Sequence, residues 1–185
     1  SQLLVYKETG WLGDGIANSH YVSGVGTNFV SLAIASAYMS GIRDFDVNLA
    51  YEASVKNELV GEGRPRGAGK LDVDSFVKYG YVNHLDKGSS WDEAWRFSAS
   101  HTLEYAFSSY AVAQWAKLLG KQSDYKELMR LSKGWEKIYN PKLNLVQPKL
   151  ANGDFIEGFK PNEVWRGFQE GNAWQYTFYV PHEPV

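Results

Sequence analysis

Apolar residues recur at spacings of three and four along most of this chain, in long segments separated by clusters of Gly, Pro and Asn, while sustained strand-like alternation is scarce. The pattern predicts a mainly α protein. The opening Ser1-Gln2-Leu3-Leu4-Val5-Tyr6 reads as the last turns of a helix. Thr27 or Asn28 is placed to cap a helix running to about 40, Asp46 one from 47 to about 59, Ser98 or Ser100 one to 119, and Ser123 one to about 139. Gly41, Gly61 and Gly120 stop three of them. In the longest, Leu103, Ala106, Phe107, Tyr110, Ala113 and Lys117 follow a 3-4-3-4 rhythm, which predicts one apolar stripe whose far end leaves the core. Helices joined by short turns form antiparallel hairpins. Between 140 and 168 the rhythm breaks at Asn140-Pro141, Gln147-Pro148, Asn152-Gly153 and Lys160-Pro161, predicting a long loop with one small hairpin. Connections of this length are usually functional, and this one leads directly into Glu170.

Composition narrows the partners. The 185 residues fit one domain, and 44% hydrophobic content is enough for a sizeable core. A net charge of −2, with scattered basic residues, gives no electrostatic reason to expect nucleic acid. Cysteine is absent, which excludes a disulfide framework and a thiolate site. No run of about 18 apolar residues is available to span a bilayer. The chain begins without Met and without a basic-then-apolar leader, and is expected to be an internal slice of something longer.

Candidate chemistry gathers at the end of the chain, where Gln169-Glu170-Gly171-Asn172-Ala173-Trp174-Gln175-Tyr176 runs through Phe178 and Tyr179 to Pro181-His182-Glu183. A carboxyl walled by Trp174 and Tyr176 loses hydration, so its pKa rises towards the value at which it donates a proton. Glu170 is therefore the candidate general acid. A helix N-terminal position would oppose that role by favouring the carboxylate. Gln169, Asn172, Trp174 and Gln175 are candidate pocket residues, of which one turn of helix brings only two or three to one side. Glu104 sits beside the apolar stripe and reads as a structural carboxylate satisfied by backbone or by an Arg such as Arg43 or Arg96, with a second buried carboxylate as the alternative. His182 reads as a satisfied, partly buried histidine. His20, His84 and His101 lack metal-ligand spacing. The run Gly61 to Lys70 fails as a phosphate loop, since Arg64 stands where the first glycine is required and Leu71 follows the lysine; it is expected to be a flexible linker. Gly24-Val25-Gly26 precedes a helix with no strand ahead of it, which leaves a dinucleotide site unsupported.

EGNAWQYTF followed by VPH resembles the signature of glycoside hydrolase family 92, the calcium-dependent exo-acting α-mannosidases. GVGTNFVSLAIASAYMSGIRDFD (24 to 46), the Gly80-Tyr81 turn, SASHTLEYAFSSYAVAQWAKLLG (98 to 120) and the NGDF segment follow in family order. The resemblance implies an (α/α)6 toroid of antiparallel helix hairpins, of which residues 1–185 are a partial catalytic domain lacking the N-terminal β-sandwich and the remaining helices. It implies Glu170 as general acid of an inverting, α-1,2-acting exo-mannosidase, and Gly24 to Gly26 bordering the sugar pocket. Inverting enzymes place a second carboxylate roughly 6.5 to 9.5 Å away across a water. That base and the calcium ligands are implied downstream of VPH, outside this chain, so metal ligands here are none and the chain alone is expected to be inactive. Glu183 stands where the family more often has Asp. The partners implied are a mannose-containing glycan and the rest of the catalytic domain, in an extracytoplasmic setting. Two other readings stand beside this one: a non-catalytic helical carbohydrate-binding or scaffold module, and another toroid hydrolase with no need of calcium.

Overall fold

The computed structural model describes residues 2–17, 20–21, 28–85 and 96–183. Among them the helices are α1 (Gln2–Thr9), α2 (Phe29–Met39), α3 (Val47–Leu59), α4 (Val73–Tyr79), α5 (Ser98–Leu118), α6 (Gln122–Ser132), α7 (Gly134–Ile138) and the single turn α8 (Ala173–Tyr176). Two short antiparallel hairpins accompany them: β1 (Ile16–Ala17) with β2 (His20–Tyr21), and β3 (Tyr139–Asn140) with β4 (Leu145–Val146). The mainly α expectation holds, and β3–β4 is the hairpin expected after 139. Thr27 and Gly24-Val25-Gly26 lie outside the described residues.

Local chemistry explains most helix ends. Asp46 accepts from the Leu49 amide at 3.0 Å and starts α3 where expected. Asn28 stands at the N-cap of α2 but does not cap it; its amide instead reaches Glu58 at 2.5 Å and accepts from Asn57 at 3.2 Å. The helix expected from Ser123 to about 139 begins at Gln122 and divides at Lys133 into α6 and α7. At that break Gly134 lies so close to α4 that a Cβ there would stand 2.6 Å from the Gly80 carbonyl oxygen.

The centre of the fold is α5, which packs on α6 and α2 and also touches α3 and α7. It is buried on nearly every side rather than along one stripe, with Ala99, Ser100, Thr102, Leu103, Ala106, Ser108, Ser109, Val112 and Trp115 all out of solvent. Small Ser and Ala side chains allow helices to approach from several directions, which a hydrophobic periodicity undercounts because Ser reads as polar. Lys117 and Leu118 emerge at the far end, as expected. Around the lower half of α5, Trp115 packs edge-on to Tyr51 with ring centres 5.3 Å apart, joined by Ala35, Val112 and Leu128. Around its upper half Leu103, Ala99, Tyr81, Ile138, Phe168 and Ala173 form a second cluster, which supports the site described next.

The stretch 61–70 departs from expectation. It is no flexible linker, because Ala68 and Lys70 are fully buried. Arg64 holds it shut, donating to the carbonyls of Ala68 and Gly69 at 2.7 Å and to that of Asn57 at 2.7 Å. The Lys70 ammonium pairs with Glu58 in the interior and donates to Ser109 at 3.0 Å. Burial pulls Lys70 down to about 8, with the Glu58 carboxylate opposing. This glycine-rich loop is held because the Arg64 guanidinium occupies the carbonyls of Ala68 and Gly69 and the buried Lys70–Glu58 pair anchors its end.

Candidate active site

The segment before α8 is fastened to the first turn of α5. The Gly167 carbonyl accepts from the amides of Ala99 (2.9 Å) and Ser100 (3.2 Å), supplying acceptors that α5 lacks at its N-terminus. This arrangement, and not a Ser98 or Ser100 side-chain cap, begins the helix; Phe97 is the N-cap residue. The Ser100 hydroxyl instead accepts from the Gln169 amide at 2.9 Å. Gly167 itself has φ +84°, and a Cβ there would lie 2.5 Å from Pro148. Glycine is required on both counts.

From there the backbone turns sharply. Glu170 takes φ +52°, a left-handed conformation unusual for a side chain with a Cβ. Such conformations cost on the order of 1 to 3 kcal/mol and concentrate at functional sites. The turn is held from both sides: Tyr176 donates its hydroxyl to the Gln169 carbonyl at 2.8 Å, and Asn172 and Gln175 form a reciprocal capping box at 3.3 and 3.0 Å. Gly171 lies tight against this box, since a Cβ there would stand 2.9 Å from the Gln175 side-chain oxygen.

The result is an open pocket of about 370 Å³ lined by Phe29, Glu104, Gln169, Glu170, Gly171, Gln175 and Tyr176. Of the residues singled out in the sequence, Glu170, Gln169, Gln175, Tyr176 and Glu104 meet there. Asn172 is occupied as the cap of α8, and Trp174 is 59% exposed and outside the lining. Glu170 is exposed rather than walled by Trp174, because it precedes the single turn of α8 while Trp174 points out from that turn.

The desolvated carboxyl of the pocket is Glu104. Burial, opposed by His101 and reinforced by Asp14, lifts it to about 7. Its Oε2 is sealed from solvent without a hydrogen-bond partner. Neither arginine expected beside Glu104 pairs with it: Arg96 donates to Asp72 at 2.8 Å and Arg43 donates to backbone carbonyls. Tyr176 reports both carboxyls, its phenol pushed up by burial first and then by Glu104 and Glu170, with Ser100 opposing.

Three histidine side chains are held by neighbouring groups, with His182 Nδ1 left buried and without a hydrogen-bond partner. His182 is buried, binds the Ser132 carbonyl through Nε2 at 2.9 Å and stacks on Phe107. His101 Nδ1 meets Asp72 at 2.7 Å, and His84 Nδ1 meets Ser98 at 3.1 Å. Of His20, only the backbone in β2 is described. Glu183 accepts from Lys133 and, at 2.7 Å, from the Trp135 indole. Among the described residues no three His, Asp or Glu side chains converge as a cation cage. Nor is any described helix long and apolar enough to cross a membrane.

The family model for the glycosyl hydrolase family 92 catalytic domain matches residues 1–185. No curated protein matches the chain. Among solved structures, an inverting mannosidase of family GH92 from Bacteroides thetaiotaomicron is similar over 100% of this chain, with 27% identity and a TM-score of 0.86. A second family GH92 α-mannosidase from Bacteroides thetaiotaomicron is similar over 98% of the chain, with 24% identity and a TM-score of 0.84. The chain spans 24% and 23% of those two structures' lengths. Their domain is an α/α toroid, and the helix hairpins of this chain form the corresponding part of it.

Proposed function

The chain belongs to glycosyl hydrolase family 92, and from that premise we propose that the protein carrying it is an inverting exo-α-mannosidase in which Glu170 is the general acid. The observation that carries this reading is the placement of Glu170 on a strained turn at the edge of a 370 Å³ pocket. Glu170 gives its proton to the departing glycosidic oxygen as the bond to the anomeric carbon breaks. The carboxylate left behind is reprotonated from solvent, to which its exposed position gives access. Gln169 and Gln175 offer amide groups along the same wall, and Asn172 holds the turn that positions Glu170. Trp174 is assigned to a sugar residue beyond the pocket, or to neighbouring helices of the toroid.

The general base belongs to residues outside this chain, as do the ligands of the calcium on which the family generally depends. The substrate is a glycan ending in an α-1,2-linked mannose, met in an extracytoplasmic compartment, and the rest of the catalytic domain is the chain's partner.

Proton NMR during hydrolysis of an α-1,2-linked mannose disaccharide tests the reading. First-formed β-mannose, lost on chelation and restored by calcium, is the expected result. First-formed α-mannose would overturn inversion, and binding of the disaccharide without any mannose release would favour a carbohydrate-binding module instead.

A further inference from the structure

Within α5, Glu104 is one turn away from His101 yet is not spent on it, because the His101 Nδ1 is engaged by Asp72 at 2.7 Å. The cations that would match a structural carboxylate are also taken, Arg96 by Asp72 and Arg43 by carbonyl groups. What remains is a carboxyl on the pocket wall with one oxygen sealed and unpaired. Leaving a buried charged oxygen without a partner is strongly unfavourable, and a neutral group far less so.

We propose that Glu104 is a substrate-contacting residue of this pocket: a neutral carboxyl that hydrogen-bonds a sugar hydroxyl beside Glu170 through Oε1. The assignment rests on the glycosidase reading above. A protonated carboxyl is donor and acceptor at once, and so is a sugar hydroxyl, so the two pair in either sense. A carboxylate would accept only. The neighbours that face Glu104 bear on its proton from each packed element: His101 on its own helix, Asp14 ahead of β1, Glu170 before α8, Tyr176 on α8 and Tyr179 after it. Asp14 is acidic and discourages a further negative charge on Glu104, while His101 works against it. Binding through the neutral form weakens as pH rises through the Glu104 value of about 7.

The test uses the full-length protein with calcium present, comparing wild type with Glu104→Leu and Glu104→Gln. KM and kcat for mannose release from the α-1,2-linked disaccharide are measured from pH 5 to 9, and disaccharide affinity is measured by calorimetry in a Glu170→Gln background. The loss of one hydrogen bond raises KM on the order of tenfold in Glu104→Leu. Glu104→Gln recovers most of that loss, since its amide is also donor and acceptor, and it removes the alkaline limb of the KM profile near pH 7. If Glu104→Leu does not fold, the KM and the alkaline limb of Glu104→Gln decide. Unchanged KM and an unchanged limb would make Glu104 packing only, and a hundredfold fall of kcat in Glu104→Gln would make it a proton-transferring group; either overturns the assignment. Wild type that binds the disaccharide without cleaving it would sink the hydrolase reading alone, with the Glu104→Leu affinity still deciding this one. Wild type that neither binds nor cleaves would sink both.

Discussion

Replacing Glu104 by Gln should change how stability depends on pH, and the size of the change follows from its surroundings. Burial lifts the carboxyl from 4.5 to about 7. Each unit is about 1.4 kcal/mol, so charging this group in the folded state is unfavourable by about 3 kcal/mol relative to the unfolded chain. Between those two values the folded protein keeps a proton that the unfolded chain has released. Stability contributed by the neutral group is therefore complete below about 4.5 and is lost as pH rises through about 7. Gln is nearly isosteric and never ionises, so packing changes cancel when one variant is followed across pH. Urea unfolding of wild type and Glu104→Gln, read by tryptophan fluorescence from pH 4.5 to 8, should show the variant gaining about 3 kcal/mol on wild type over that range. Curves that stay parallel within about 0.5 kcal/mol would mean Glu104 ionises like a solvated carboxylate, and its role as a neutral hydrogen-bonding group would fall with that result.

Removal of one partner of the interior Lys70 and Glu58 pair strands a charge, so Lys70→Ala should destabilise by about 3 to 5 kcal/mol, while Lys70→Met with Glu58→Leu should restore most of the loss in chemical denaturation. Gly167→Ala meets both a positive φ and Pro148; a loss of at least about 1 kcal/mol is expected, with kcat/KM falling because Glu170 is displaced. Wild-type kcat/KM in Gly167→Ala would show that this clamp does not position the acid. Asn172→Ala removes the capping box and should cost about 0.5 to 2 kcal/mol by thermal unfolding. An unaffected melting temperature would show that α8 is held by packing alone.

Where a single local interaction decides an element, the sequence is legible: Asp46 with Leu49 begins α3, and the glycines after α2 and α5 mark their ends. The core helix is harder to read, because Ser100, Ser108 and Ser109 look polar yet serve as small contact points between helices. The glycine-rich stretch 61–70 looks mobile for a similar reason, since its own Arg64 is joined in fixing it by Glu58, on α3. At the site, Glu170 stands out through its neighbours in sequence, but its exposure depends on a left-handed turn that composition does not reveal. Glu104 was legible as a carboxylate near the apolar stripe. That it is the desolvated one depends on burial by other elements, and that no arginine pairs with it depends on Arg96 choosing Asp72; only three dimensions decide either.

The most direct test of the central claim compares Glu170→Gln with wild type on two substrates in the full-length protein with calcium: the α-1,2-linked disaccharide and a dinitrophenyl α-mannoside. General-acid catalysis contributes about 10² to 10⁴ in rate, and a leaving group of low basicity does not need it. Turnover of the disaccharide should fall by that factor while turnover of the aryl mannoside stays within about tenfold of wild type. Equal losses on both substrates, or full activity on the disaccharide, would contradict the assignment of Glu170 as the acid.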